Sequence, residues 1–182
     1  YQYGVFGRST NGGSSFDIAL DGIIPGDRFN WNTPVVLNPL DPSILYIGSH
    51  RLYKSENRAE SWSVISPDLT ENNSPEVSPY GTITTIAVSP VNDQIIYVGT
   101  NNSNVQVSAD GGNTWTLVSS SLPDRWVTSI AADPADQFIA YVTFSGYRFG
   151  ESVAHIYKTE DLGATCTAVS GDLPDMPVND LI

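Results

Sequence analysis

Three observations predict an all-β repeat fold. Short segments rich in Val, Ile, Thr, Tyr and Trp are punctuated by 15 Gly and 12 Pro, the grammar of strands and turns. A polar corner motif recurs about every fifty residues. Around each complete copy stand four strand-sized segments. A repeat of this length with four strands per unit is the pattern of a propeller blade. The fold class is therefore a β-propeller of about four four-stranded antiparallel blades.

The corner is clearest at Ser108, Asp110, Gly112, Thr114 and Trp115, which read Ser-x-Asp-x-Gly-x-Thr-Trp. Thr159, Asp161, Gly163, Thr165 and Cys166 repeat it with Cys in the aromatic place. Two looser copies stand upstream, one on Ser9, Asn11, Gly13, Ser15 and Phe16, the other on Ser55, Asn57, Ala59, Ser61 and Trp62. The copies begin at residues 9, 55, 108 and 159, so the steps are 46, 53 and 51 residues. Asp or Asn accepts backbone N–H bonds in a tight turn, Gly supplies φ > 0, and Ser or Thr adds a hydroxyl. The aromatic at the eighth place can plug the gap beside the turn.

Taken in order, the units read as follows. Residues 1–22 hold two strands, YGVFGRS and FDIALD, on either side of the first corner. The blade at 31–67 gives TPVVLNP, ILYIGS, LYKS and WSVIS. The blade at 81–120 gives TITTIAVSP, IIYVGT, VQVSAD and WTLVSS. The blade at 125–171 gives VTSIAADP, FIAYVTF, HIYKT and CTAVS, and residues 177–182 open a further unit. All of 1–182 is thus one propeller region that enters and leaves in mid-blade. The two partial ends supply only three strands, and propellers usually have four to eight blades, so a fragment of a larger propeller is expected.

At its corners the chain resembles the Asp-box, or bacterial neuraminidase repeat, propellers of sialidases, xyloglucanases and sortilin-type receptors. The resemblance covers essentially the whole chain. It implies the fold; the corner is a structural turn shared by enzymes and non-enzymes, so it assigns no activity.

Composition narrows the functions. The 20 Asp and Glu against 8 Lys and Arg leave a formal charge of -12, an unfavourable field for nucleic acid or anionic membrane. No apolar run approaches a membrane span, so no membrane insertion is expected. The single cysteine, Cys166, excludes an internal disulfide and reads as a small apolar filler in the aromatic place. Low Lys with abundant Ser, Thr, Asn and Asp fits an extracellular or cell-surface protein.

Chain direction sorts the loops. In a four-stranded antiparallel blade the corners share one face with the short turns NPLDPS, SPVNDQ and DPADQ. The opposite face receives the irregular loops 21–31, 49–51, 66–80, 121–126 and 145–152. Arg28, Arg51, Arg125 and Arg148 fall there, with Trp31, His50, Trp126 and Tyr147 beside them. Variable loops on a regular scaffold are where function usually sits, and Arg with aromatics is the composition of binding hot spots. The alternative is that Asp27, Asp68, Asp124 and Glu151 neutralise these arginines while the aromatics close the blade tops. The expectation is a non-catalytic recognition or scaffold propeller that takes a glycan or protein ligand through this face. Its remaining partners would be further blades of a parent chain or neighbouring subunits. The alternative function is a fragment of a polysaccharide-active glycoside hydrolase, xyloglucanase-like rather than sialidase-like.

No catalytic residue is named. The Phe/Tyr-Arg-Ile-Pro signature of sialidases is missing, and the acids mostly occupy turn positions that already account for them. No cofactor is expected. His50 and His155 lie far apart in sequence, which argues against zinc. DGGN at 110–113 is a possible structural calcium loop, but the EF-hand spacing and terminal Glu are absent.

Overall fold

The computed structural model describes residues 2–70, 80–118, 121–150, 155–174 and 177–181. The first sheet pairs β1 (Gly7–Arg8) with β2 (Asp17–Ile18). The second contains β3 (Val35–Leu37), β4 (Leu45–Gly48), β5 (Leu52–Ser55) and β6 (Ser63–Val64). The third contains β7 (Ile83–Val88), β8 (Ile96–Thr100), β9 (Val105–Ser108) and β10 (Thr116–Leu117). The fourth contains β11 (Trp126–Ala132), β12 (Ala140–Ser145), β13 (His155–Thr159) and β14 (Thr167–Ala168). Every pairing is antiparallel between chain neighbours, so each sheet is a meander. This is the expected all-β propeller fold, seen as three complete four-stranded sheets and one two-stranded sheet. The outermost strands are shorter than their apolar segments. Ahead of β6 and β10, Trp62 and Trp115 turn into the gaps between sheets instead of joining the ladder.

The four corners share one hydrogen-bond network. Ser9, Ser55, Ser108 and Thr159 each accept, through the side-chain oxygen, the N–H four residues on, at 2.7–2.8 Å. The same hydroxyls donate to Oδ1 of Asn11, Asn57, Asp110 and Asp161 at 2.9 Å. Those Oδ1 atoms accept the N–H of Ser15, Ser61, Thr114 and Thr165. In the two acidic copies Oδ2 also accepts a threonine hydroxyl, from Thr114 at 2.6 Å and Thr165 at 2.7 Å. These bonds hold both carboxyls below the usual carboxylate range, Asp110 chiefly through the Thr114 hydroxyl and Asp161 chiefly through the Thr165 backbone N–H. Where Asn replaces Asp, its Nδ2 donates to the serine at the same place. The turn needs two successive left-handed residues, supplied by Gly111 and Gly112 in the third sheet and by Arg58 and Ala59 in the second.

Apolar side chains fill the seams between neighbouring sheets. Ile47, Tyr53, Ala59 and Trp62 join Phe6, Ala19 and Phe29 between the first and second. Tyr46, Leu52, Ile83, Ile86, Ile96 and Val98 fill the next seam, and Trp115 packs on them. Tyr97, Val105, Val118, Val127, Ile130, Val142 and Phe144 fill the third. Trp62 Nε1 donates across its seam to Ala19 O at 2.9 Å, and its ring meets Phe6 edge-on at 5.7 Å. Trp115 Nε1 donates across the next seam to Ile65 O at 3.2 Å. These two aromatics fill their seams. Phe16 does not: it is 59% exposed, because no sheet described here covers its side of the first sheet.

The innermost strands are strapped together. Thr84 Oγ1 donates to Val127 O at 2.6 Å, and Ile130 N donates back to Thr85 Oγ1 at 3.3 Å. Gly99 permits this approach, since a Cβ there would lie 2.3 Å from Val127 Cγ1. One repeat later Thr128 Oγ1 donates to Val178 O at 2.9 Å, and Ser129 Oγ to Asp180 Oδ1 at 2.8 Å. Residues 177–181 therefore lie against β11 as β11 lies against β7.

Candidate functional site

The short turns on the corner face are bonded within themselves and to their neighbours, Asn38 Nδ2 donating to Asp93 Oδ2 and Asn92 Nδ2 to Gln137 Oε1, each at 2.9 Å. Asn38 and Asp133 accept the N–H groups of their own turns through Oδ1, and so do Asp41 and Asp136. The opposite face is built differently. The loop before β3 crosses onto the second and third sheets, and its polar side chains reach far along the sequence.

Arg28 sits at the centre of this arrangement. Its Nη2 donates to Asp68 Oδ2 at 2.8 Å and to Thr70 Oγ1 at 3.1 Å, while Nε donates to Gly81 O at 3.2 Å. Its Cζ stands 5.8 Å from the Tyr80 ring centroid. Partial burial would raise the Asp68 carboxyl, but the bonds from Thr70 and Arg28 outweigh it and hold the group low. Beneath Arg28, His50 and Asp27 are almost wholly enclosed, with His50 Nε2 3.8 Å from Asp27 Oδ1. Asp27 Oδ2 accepts the hydroxyls of Tyr53 and Ser49. Burial and the Asp27 bond push the Tyr53 phenol up to about 12. Burial also pushes the His50 imidazole below its ordinary value, against the opposing pull of Asp27, so the ring is neutral near pH 7. The Arg28 N–H lies 3.2 Å from Nδ1 and Arg51 Nε 3.1 Å from Nε2. A neutral imidazole has one lone pair for these two donors.

A second group stands on the fourth sheet. Arg125 Cζ lies 4.5 Å from the Phe149 ring centroid, and its Nη1 donates to Asp124 O at 2.7 Å. Trp126 begins β11 opposite Ser145. Tyr147 starts a single 3₁₀ turn, Tyr147–Phe149, and is 80% exposed. Arg148 is in that turn; its side chain, Glu151 and much of the 66–80 loop lie outside the described residues.

The two groups are linked by a segment that sequence reasoning passed over as a plain turn, Asn101–Asn104. Asn30 Nδ2 donates to Thr82 Oγ1 at 2.9 Å, and Thr82 N donates to Asn101 Oδ1 at 2.8 Å. Asn101 Nδ2 donates to Tyr80 O, Asn102 Nδ2 to Thr70 O and Asn104 Nδ2 to Leu69 O. Ser103 Oγ closes the chain on Asp124 Oδ1. All four residues are buried, which is unusual for so polar a run. That run of amides between two apolar strands was the available signal.

Arg28, His50 and Arg51 are thus brought into contact, and Arg125 is set beside Trp126 and Phe149. Arg28 is neutralised by Asp68, as the charge-pairing alternative expected. Asp27 instead serves Tyr53, Ser49 and His50, and Asp124 serves Ser103. Among the side chains this face leaves open to solvent are four aromatics, Trp31, Tyr80, Tyr147 and Phe149. Among the described residues no group of three His, Cys, Asp or Glu side chains is placed to hold a metal ion. None of the described helices is long and apolar enough to cross a membrane.

Neither a protein-family model nor a curated protein sequence matches the chain. Solved structures do. An ancestral GH74 enzyme matches at 22% identity and a TM-score of 0.61, over 91% of this chain and 21% of that one. The GH74 enzyme of Niastella koreensis matches at 25% identity and a TM-score of 0.60, over 87% of this chain and 25% of that one. YCF48 from Cyanidioschyzon merolae matches at 17% identity and a TM-score of 0.52, over 74% of this chain and 35% of that one. The protein is a β-propeller segment. It spans between about a fifth and a third of these three chains.

Proposed function

We propose that this segment is a recognition or scaffold element of an extracellular or cell-surface Asp-box propeller, and that it binds a glycan through the loop face. The observation that carries this reading is the exposure of Trp31, Tyr80, Tyr147 and Phe149 beside arginines held by their own neighbours. Exposed rings offer flat apolar platforms, and sugar rings present matching C–H faces. Arg28 is already committed to Asp68, Thr70 and Gly81, and the chain carries twelve excess negative charges, so a neutral glycan suits this face better than an acidic one. A protein segment could use the same rings as anchors.

A glycan array probed with the intact chain tests the reading, followed by titration with any hit. Trp31→Ala or Tyr147→Ala should weaken binding by about tenfold or more if either ring is a hot spot. Unchanged binding in both variants would remove the face from consideration. The second reading, a fragment of a polysaccharide-active hydrolase, draws support from the likeness to GH74 enzymes, among them one described as a xyloglucanase of Xanthomonas campestris. Chromogenic glycoside assays separate the two: turnover that one carboxylate substitution abolishes would favour the hydrolase.

A further inference from the structure

His50 ties the loop that runs into β3 to the turn between β4 and β5. The Arg28 N–H is directed at Nδ1 at 3.2 Å and Arg51 Nε at Nε2 at 3.1 Å, and the ring is only 5% exposed. Both ring nitrogens thus face N–H donors, although a neutral imidazole has one lone pair to offer. A second proton must land on the nitrogen that is accepting, and from then on neither arginine finds an acceptor there.

The charged groups around the ring decide how the fold meets that proton. Asp27 and the Arg28 side chain come from the loop before β3, Arg51 from the β4–β5 turn, the Tyr53 phenol from β5, and Asp68 from the stretch after β6. Two of these are cations. Asp68 is already bonded to Arg28 and Thr70. Asp27 Oδ2 already accepts the Tyr53 and Ser49 hydroxyls, and Oδ1 lies 3.8 Å from Nε2, too far for a hydrogen bond. To reach Oδ1 the ring has to leave both arginines. Burial is the largest influence on the imidazole, and it too disfavours the charged form.

We propose that His50 is a proton switch for this loop: at neutral pH its ring docks residues 21–31 on the β4–β5 turn, and protonation releases them. Trp31 ends the same loop and is one of the exposed rings of the face, so release would weaken ligand binding in acid. That consequence rests on the reading of the face as a binding site, whereas the switch itself does not.

NMR titration of the intact chain combined with amide hydrogen exchange tests the switch without any ligand, so its failure is distinguishable from failure of the binding reading. The His50 ring should titrate below its ordinary 6.5. The protection factor of the Arg28 amide should be constant above that value and fall as His50 takes its proton, by about tenfold for each pH unit between 6.5 and the ring's own midpoint. Amides of β8 should keep their protection over the same range, which separates local release from unfolding. His50→Gln cannot take the proton and should hold the Arg28 protection level. An Arg28 amide whose protection stays unchanged while His50 titrates, or falls only together with that of β8, would overturn the proposal.

Discussion

At the corners, stability depends on how deeply the first hydroxyl is buried. Ser108 is 1% exposed, and its Oγ is the acceptor for the enclosed Gly112 N–H at 2.8 Å. Ser9 makes the same bond in the open, where water can replace it. Ser108→Ala should therefore cost about 1–2 kcal/mol, the penalty of a buried donor left without an acceptor, and Ser9→Ala close to nothing. Urea unfolding of the two variants checks the difference; equal losses would show that burial does not set the value of the turn. The corner residues themselves were legible in the sequence because their chemistry is local: every partner lies within six positions of the first hydroxyl. The same reasoning could not foresee that Asp27 would serve Tyr53 or that Asp124 would serve Ser103, since those bonds join side chains 26 and 21 positions apart.

Between elements, the threonines of the innermost strands matter most. Thr84 Oγ1 bonds both Gly99 O within its sheet and Val127 O in the next. Thr84→Val keeps the side-chain shape but removes the one hydroxyl proton that the two carbonyls share, and should destabilise by about 1–2 kcal/mol. For a chain of this size that lowers the thermal midpoint by roughly 2–8 °C. Differential scanning calorimetry reads it, and an unchanged midpoint would mean the seam is held by apolar packing alone. The repeat predicted four strands per unit from apolar periodicity, yet the strap was invisible because Thr is also an ordinary strand former. The buried Asn101–Asn104 turn was missed for the opposite reason: polar residues between strands are read as solvent-exposed. Here four buried amides and hydroxyls receive the ends of two distant loops instead.

Over the whole molecule, local and long-range electrostatics pull in opposite directions as pH changes. Twelve excess negative charges and an isoelectric point near 4.2 mean that acidification relieves self-repulsion. The local groups oppose this. Asp41, Asp68, Asp93, Asp110 and Asp161 are held below the ordinary carboxylate value of 3.8, so their contribution is complete above that value and is lost as pH falls through their folded-state values. His50 is likewise depressed from 6.5, and its contribution begins to fade as pH drops below 6.5. At the alkaline end Lys54 and Lys158 are raised above 10.5 by Glu56 and Glu160, and Tyr53 is raised to about 12, so their contributions fade only as pH climbs past their unfolded values. Repulsion between exposed charges is screened beyond about 10 Å at 0.1 M salt, whereas these bonds act at contact distance. The contact terms should win. Thermal midpoints measured across pH in 0.1 M salt should be highest between about pH 6.5 and 10 and should already decline on approach to the isoelectric point, with His50→Gln flattening the first part of that decline. A maximum near pH 4.2 would show that net charge, rather than the hydrogen-bonded carboxylates and the enclosed imidazole, governs the stability of this propeller segment.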